Sequence, residues 1–442
     1  MQITLIVLVF IILCALMYSK KLNSMFALPI MALLIAVIAG IPWNSVTAED
    51  GTVTSGIQSL LFVEGPMRLA STMITLIFGG ILSQLIKNTG IAESTIRKVS
   101  ELGGDRPLIV AILFYIVVGV LFTTLGGLGS VIMIGTIVLP ILTSMGVSAI
   151  GSACILLFSL SVGGIFNLAN WSLYINSLEI PVETVRGFAY FAGVIFFLMG
   201  LFFIVLEVRF GGLTKIFSKK GKKVPVQWPM PAEQADSKAG QVKVHWFAML
   251  TPLIPLVFVL GFKMDINTGL IFGILYGFLT TIKKDSVKQL ARSITEGISN
   301  TAGAIFLLIG IGMLLKVVMD PRVSAIVGPA MAAILPSAAV TYVIFFSILA
   351  PLALYRGPLN IWGLGLGLAT VMLGTGKLGA TSIMAALMTT GQIQGICDPT
   401  NTYNVWVAAS TGTDVNDLMK KTLPYVWCGA IIGLIVAAFL YF

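Results

Sequence analysis

Cys397-Asp398-Pro399-Thr400-Asn401-Thr402 is a polar, proline-broken stretch inside an otherwise apolar region of this 442-residue chain. A second polar break, Tyr355-Arg356-Gly357-Pro358-Leu359-Asn360, precedes it. Lipid cannot form hydrogen bonds with an opened backbone, so such breaks persist only where protein or a water-filled cavity satisfies the freed groups. The two stretches therefore predict a buried polar site inside a membrane-embedded fold.

The first half of the chain carries two breaks in the same order. They are Phe122-Thr-Thr-Leu-Gly126-Gly127-Leu-Gly129-Ser130 and Asn167-Leu-Ala-Asn170-Trp171. When both halves carry broken segments at corresponding positions, the expected architecture is a transporter whose site lies between two repeats. Residue identities between the halves are near chance in a chain this rich in Gly and Leu. The prediction of a repeat therefore rests on the order of features.

Composition places the chain in a bilayer. Hydrophobic residues make up 57% of the sequence and charged residues 10%, whereas a soluble domain carries about 25% charge. The net charge of +9 comes from loop residues, most densely at Lys215–Lys223, which indicates a cytoplasmic loop and not a nucleic-acid partner. Four cysteines without C-x-x-C spacing and one histidine argue against a disulfide framework or a zinc site. No cofactor is expected besides a coupling ion.

Hydropathy predicts an all-α polytopic membrane protein with about 10 to 12 spans, at about 20 residues a span. Between residues 131 and 178, and between 361 and 407, the hydropathy is interrupted, which predicts re-entrant hairpins and broken helices. The clear spans are Gln2–Tyr18, Phe26–Ile41, Met67–Ile86, Pro107–Leu121, Phe188–Val208, His245–Phe262, Thr268–Ile282, Asn300–Val318, Val340–Leu354 and Pro424–Phe442.

Lysine and arginine residues orient these spans, because cytoplasmic loops are enriched in both. Their distribution predicts that Met67–Ile86 runs inward and that its counterpart Asn300–Val318 runs outward, so the two repeats are inverted. We expect a first repeat over 1–209, a cytoplasmic linker over 210–244 and a second repeat over 245–442, with both termini external. Basic residues placed in cytoplasmic loops include Lys87, Arg97, Lys98, Arg106, Lys283, Lys284, Lys288, Arg292, Lys420 and Lys421.

Arg356 and Asp398 are the charged residues that carry functional weight. A charge at membrane depth costs roughly 3 kcal/mol on insertion scales, so it indicates function by default. The Arg356 guanidinium offers a bidentate fork to a carboxylate, although snorkelling to an interface is the alternative. Lys377 lies in a glycine-flanked turn and is expected to be exposed at a loop tip.

The second-half break also suits a bare cation. Pro399 removes a backbone donor, so free carbonyls collect beside side-chain oxygens, and such groups bind Na⁺. Asp398 would alternatively relay H⁺ or act as an ordinary helix cap. The predicted cation-binding residues are Asp398, Thr400, Thr402 and Asn170; the predicted substrate-binding residues are Arg356, Asn360, Gly127, Ser130, Asn167 and Asn401.

The order of elements resembles the ion-transporter superfamily of secondary carriers, which includes citrate, gluconate and dicarboxylate permeases. The resemblance covers nearly the whole chain. Thr400-Asn401-Thr402 is similar to the Ser-Asn-Thr signature of the sodium/dicarboxylate branch, which implies contacts with a substrate carboxylate and with sodium. The first half departs from that signature, with Asn167-Leu-Ala-Asn170 in its place.

These observations predict a Na⁺- or H⁺-coupled symporter of a small organic anion that works by alternating access. A Na⁺/H⁺ antiporter is the alternative, since it needs a titrating carboxylate but no anion clamp. An enzyme is not expected, because no Ser-His pair, H-E-x-x-H motif or catalytic domain is present. We expect a multi-pass protein in lipid, in a bacterial inner membrane. The sequence leaves a homodimer open.

Overall fold

The computed structural model describes residues 1–19, 21–47, 53–211, 244–362 and 365–442, apart from the side chains of Tyr18, Val53 and Arg356. The predicted cytoplasmic linker therefore lies almost wholly outside the described residues. A short antiparallel pair of strands, β1 (Val46–Thr47) and β2 (Val53–Thr54), joins two helices near the N-terminus. Helices account for nearly all of the remaining secondary structure.

In the first half, the helices follow the predicted spans closely. A π-helix (Gln58–Glu64) and α3 lead directly into α4. The helices are α1 (Gln2–Tyr18), α2 (Ser24–Ile38), α3 (Gly65–Met67), α4 (Ala70–Asn88), α5 (Ile91–Gly103), α6 (Pro107–Phe122), α7 (Leu128–Ser144), α8 (Ala149–Ile165), α9 (Leu168–Leu178) and α10 (Val182–Phe210).

The second half repeats the order of the first. Its long helix Ser286–Met319 and the helices after it correspond to Gln58–Asn88 and the helices up to α10. It opens with a mixed helical segment made of a 3-10 helix (Trp246–Leu253), α11 (Ile254–Leu256) and a π-helix (Val257–Gly261). The following helices are α12 (Ile266–Thr280), α13 (Ser286–Met319), α14 (Pro321–Ile334), α15 (Ala339–Leu349) with a 3-10 extension (Ala350–Arg356), α16 (Gly365–Gly374), α17 (Ala380–Cys397), α18 (Thr402–Thr411) and α19 (Val415–Tyr441).

Four of the described helical segments are long and apolar enough to cross a bilayer alone: Gln58–Asn88, Val182–Phe210, Ser286–Met319 and Val415–Tyr441. Two bent pairs of helices, α8 with α9 and α14 with α15, would raise that number to six. The predicted total of about 10 to 12 spans also draws on shorter apolar helices such as α1 and α6. The chain is an integral, multi-pass membrane protein.

The corresponding helices α4 and α13 pack against each other in opposite directions. Gly80 lies against Gly297: a Cβ added to Gly80 would lie 2.7 Å from the carbonyl oxygen of Gly297. Further along, the Gln84 amide donates to Glu296 at 2.5 Å. Residue numbers therefore rise along α4 as they fall along α13. Because these helices occupy equivalent places in their halves, the antiparallel packing confirms the predicted inverted repeats.

Three segments that we predicted as cytoplasmic loops are helical, and one of them holds Lys420 and Lys421, which lie inside α19. Residues 91–103, which include Arg97 and Lys98, form α5, and α13 begins at Ser286, so Lys288 and Arg292 lie in its first turns. The charged residues do mark a polar surface. They do not show that the segment is a loop, because an amphipathic helix also places charge on one face. Arg292 pairs with Glu296 one turn later, at 2.6 Å, which supports the helix.

α8 lies at the centre of the protein. Nearly every residue of this helix is buried, including Ser152, Cys154 and Phe158. A helix that is apolar on all sides is surrounded by other helices. α8 packs against α6, α10 and α17, so its C-terminal end is held deep inside the protein.

Candidate binding site

The first break separates α8 from α9, which are bent by 48°. Asn167 caps α9, with its Oδ1 accepting a hydrogen bond from the Ala169 N–H at 3.0 Å. Its Nδ2 donates to the carbonyl oxygens of Phe122 and Leu125, at 3.0 and 3.2 Å. This amide therefore satisfies backbone groups of two interrupted helices, α6 and α9, which lipid cannot do.

The second break separates α17 from α18. Asn401 caps α18, with its Oδ1 accepting from the Tyr403 N–H at 3.1 Å. Asp398 directly follows α17 and is fully buried. Its Oδ1 accepts from the Thr400 N–H at 2.8 Å and from the Thr400 hydroxyl at 2.7 Å. This local turn means that Asp398 shapes the break whatever else it binds.

The two breaks share a pattern that we did not recognise in the sequence. Asn170 Nδ2 donates to the carbonyl of Gly164, six residues earlier, at 2.8 Å. Asn404 Nδ2 donates to the carbonyl of Asp398, also six residues earlier, at 2.9 Å. The signal is the spacing Asn-x-x-Asn, present at both breaks, in which the first Asn caps the helix and the second reaches back across the break.

The two remaining breaks, near Gly127 and near Asn360, each contact a break in the opposite half of the chain. Gly127, before α7, has φ +80°, and its N–H donates to the Tyr403 hydroxyl at 3.0 Å. In the opposite direction, the Trp362 indole donates to Asn170 Oδ1 at 3.2 Å. Each glycine- or proline-broken segment thus binds the N-terminal turn of a helix from the other half. Such reciprocal contacts are expected of inverted repeats.

A cavity of about 460 Å³ lies where these four breaks converge. Its walls come from both halves, and side-chain amides and hydroxyls dominate the polar part. Of the cavity-lining residues within the described ranges, only Asp398 is charged. The polar lining residues are Ser83, Thr124, Ser161, Asn167, Asn170, Tyr174, Asn300, Thr301, Asn360, Trp362, Gln392, Gln394, Asp398, Asn401, Thr402 and Tyr403.

The structure brings most of the predicted site residues to this cavity. Gly127, Asn167, Asn170, Asn360, Asp398, Asn401 and Thr402 all line it.

The other three predicted residues are placed differently. Ser130 is buried behind the lining, where its hydroxyl is 2.8 Å from that of Ser83. Thr400 does not line the cavity either, and its hydroxyl donates to Asp398 Oδ1. Arg356 ends the 3-10 helix Ala350–Arg356, and its side chain lies outside the described residues.

Several cavity residues were not predicted. Ser161 and Gln392 form a hydrogen bond across the cavity from α8 and α17. Trp362 and Tyr403 each bind the opposite half, although aromatic residues at such positions are usually packing or interface residues. Only long-range pairing gives these residues their position, and a single sequence carries no sign of it. Lys377 is exposed in the turn before α17, as predicted.

The donor set fits a ligand bound by hydrogen bonds and charge. In the described ranges, no group of three or more His, Cys, Asp or Glu side chains could hold a metal ion in the manner of a zinc or iron site. Amide and hydroxyl groups both donate and accept, so they suit an organic anion and an oxygen-liganded cation equally well. The cavity residues are therefore suited to binding a ligand.

Comparison with known proteins agrees with this architecture. The solved structure of the YdaH transporter of Alcanivorax borkumensis has a TM-score of 0.59 at 14% identity, covering 94% of this chain and 97% of that one. MtrF of Neisseria gonorrhoeae, described as illuminating a class of antimetabolite efflux pumps, has a TM-score of 0.54 at 12% identity, covering 94% and 93%. At these identities the likeness establishes a shared fold. Among curated protein sequences, none matches significantly.

The family is shown by sequence. The profile of the C4-dicarboxylate anaerobic carrier family matches residues 1–321, which is more than half of the chain. This agrees with the predicted resemblance to secondary carriers and with the prediction that the protein is not an enzyme. The chain therefore belongs to the C4-dicarboxylate anaerobic carrier family and is a secondary membrane transporter.

Proposed function

We propose that this protein moves a C4-dicarboxylate together with a cation, Na⁺ or H⁺, by alternating access at the cavity between its two repeats. The observation that carries the proposal is the convergence of four broken segments, two from each half, on one polar cavity. In transporters built from inverted repeats, discontinuous helices form the substrate and coupling-ion sites. The family membership supports the choice of substrate class.

The cavity offers an anion two helix N-termini. α9 begins beside Asn167 and α18 begins beside Asn401, and both asparagines line the cavity from opposite halves. Helix N-termini attract negative charge through their unpaired N–H groups and their dipoles. Two N-termini in one cavity suit an anion with a carboxylate at each end. The Asn360 amide, which is buried and lines the same cavity, adds polar capacity.

Charge balance supports coupling to a cation. A dicarboxylate brings two negative charges to a cavity where Asp398 is the single charged side chain among the described lining residues. Bringing like charges together in a buried site is costly unless positive charge accompanies them. We assign that positive charge to a co-transported cation near Asp398 and to the Arg356 guanidinium, which has the fork geometry that carboxylates prefer.

A Na⁺/H⁺ antiporter is the second candidate, and the burial of Asp398 favours it. An antiporter needs a carboxylate that alternates between cation and proton but has no use for an anion clamp. Replacing Arg356 by Gln separates the two functions. If the protein is an anion symporter, this variant should lose transport. If it is a Na⁺/H⁺ antiporter, this variant should retain cation/proton exchange.

A ligand screen on the purified protein tests the proposal. Because a ligand stabilises the folded state in proportion to its affinity and concentration, succinate and fumarate should raise Tm. Butyrate, which has four carbons but one carboxylate, is the matched control and should raise Tm much less. Repeating the screen with Na⁺ replaced by choline, at two pH values, identifies the cation. Equal shifts for succinate and butyrate would refute a dicarboxylate site.

We further propose a bacterial inner-membrane location with the 210–244 linker in the cytoplasm and both termini outside. The lysine and arginine distribution supports this orientation. Single cysteines introduced at Thr52 and Ala235 test it with a membrane-impermeant thiol reagent added to intact cells. Labelling at Thr52 and protection at Ala235 are expected. The reverse pattern would overturn the orientation.

A further inference from the structure

The side chain of Asn404 is 1% exposed, and its two polar ends have different surroundings. Its Nδ2 donates to the Asp398 carbonyl oxygen at 2.9 Å. A carbonyl oxygen only accepts hydrogen bonds, so it must face the NH₂ end of the amide, and this fixes where Oδ1 lies. Within the described part of the chain, that buried Oδ1 has no hydrogen-bond partner.

The equivalent residue of the first half is satisfied. Asn170 makes the same backward hydrogen bond through its Nδ2, but its Oδ1 accepts from the Trp362 indole at 3.2 Å. The two Asn-x-x-Asn motifs are therefore alike in backbone role and different in what faces their acceptor oxygens. A buried oxygen without a donor costs free energy, which a positive ligand removes.

The surroundings of Asn404 favour a cation. The fully buried Asp398 carboxylate lies at the C-terminal end of α17, where the helix dipole is negative. Pro399 contributes no N–H to the break. We propose, building on the cation coupling proposed above, that this break binds Na⁺ and that Asn404 Oδ1 and Asp398 are among its ligands.

The donor chemistry selects the ion. Carboxylate, amide and carbonyl oxygens are hard ligands, and the opened backbone of a broken helix coordinates Na⁺ in transporters built from inverted repeats. A proton would be held by Asp398 alone, whereas Na⁺ takes several oxygen ligands at once. The first-half motif, in which Trp362 occupies the acceptor, is not a second site of this kind. Asn404 lies behind the residues that line the cavity, so its replacement removes no direct contact to the anion.

Na⁺ titrations of Tm test the site, with choline chloride holding the ionic strength constant. In the wild type, Na⁺ should raise Tm with a saturable midpoint, and K⁺ should not reproduce this. In Asn404→Leu the midpoint should rise at least tenfold. Ser177→Ala is the matched control, because it removes an equally buried, unpartnered oxygen from α9 and should leave the midpoint unchanged. A folded Asn404→Leu protein with a midpoint within twofold of wild type would overturn the proposal.

A second variant covers the case in which Asn404→Leu does not fold. Asn404→Asp keeps oxygens at this place and adds a charge, so Na⁺ should raise its Tm by more than it raises that of the wild type. An equal or smaller rise would contradict the site. Succinate binding is measured in parallel without Na⁺. If succinate binds with full affinity and Na⁺ has no effect on any of these proteins, the sodium site is wrong but the dicarboxylate site stands.

Discussion

Ser161 and Gln392 lie on corresponding helices of the two repeats, and they form a hydrogen bond with each other. Each lies twelve positions after the first residue of its helix, α8 or α17. This hydrogen bond joins the two halves at side chains that line the cavity. The proposed substrate site is thus built around a direct contact between the two repeats.

This pairing predicts non-additive effects on ligand binding. Ser161→Ala and Gln392→Leu each remove the same cross-half hydrogen bond, so the double variant should lose less than the sum of both. A coupling energy of about 1 kcal/mol in the free energy of succinate binding is expected from calorimetry. Ser161→Ala combined with the distant Ser382→Ala should be additive. Additivity in the first pair would contradict a direct link.

Gly127 is predicted to be intolerant of a side chain. Its φ of +80° lies in a region that L-residues avoid, and its N–H holds Tyr403 of the other half. Gly127→Ala should cost about 1–2 kcal/mol and lower Tm. Gly129→Ala is the matched control, since it lies within α7 with open space around its Cα and should be neutral or stabilising. An unchanged Tm for Gly127→Ala would mean that this turn adapts freely.

The Lys421–Glu207 ion pair is predicted to matter through its burial. The two side chains are 2.7 Å apart with only 16% and 2% exposure, and Ser148 also donates to Glu207. Lys421→Met strands a buried carboxylate and should cost about 3–5 kcal/mol of unfolding free energy in mixed micelles.

Adding Glu207→Gln to that variant should recover much of the loss, because no charge is then left alone. Arg97→Gln, which breaks an exposed ion pair with Glu93, serves as the control and should cost under about 1 kcal/mol. If the double variant is as unstable as Lys421→Met alone, the ion pair acts through packing and not through charge.

The sequence predicted the architecture well because hydropathy and glycine or proline breaks are local signals. The first helix spans Gln2–Tyr18 as predicted, and the breaks near Gly127, Asn167, Tyr355 and Asp398 are all present. Inversion followed from the positive-inside rule, and the antiparallel α4 and α13 agree with it. Charge along the chain reports the side of the membrane but not the secondary structure, which is why α5 was predicted as a loop.

The site was only partly predictable, for a different physical reason. Polar residues next to a break are visible in sequence, so Asn167, Asn401 and Asp398 were found. Residues such as Gln392 acquire their role from a partner in the other half, and nothing local marks them. Asn404 was missed although its Asn-x-x-Asn spacing repeats that of the first half, because its role comes from a contact with the Asp398 carbonyl across the break.

Arg356→Lys is predicted to impair anion binding severely. Lysine keeps the charge but loses the planar, bidentate fork, so a charge-assisted hydrogen bond worth about 1.5–3 kcal/mol is lost. Calorimetry with succinate should show a Kd roughly ten- to a hundredfold higher. A residue that merely snorkels needs only a positive tip on a long stem. A loss of affinity below about threefold would indicate that the anion binds near Asn167 and Asn401 and not at Arg356.

Uptake of labelled succinate into proteoliposomes tests the central claim, that a cation gradient drives a C4-dicarboxylate through this cavity. With an inward Na⁺ or H⁺ gradient imposed separately, one of them should drive succinate above its equilibrium level. Asp398→Asn should abolish this accumulation, while Lys377→Arg, in an exposed turn, should retain it. Accumulation that needs neither gradient, or that persists at wild-type level in Asp398→Asn, would contradict the account.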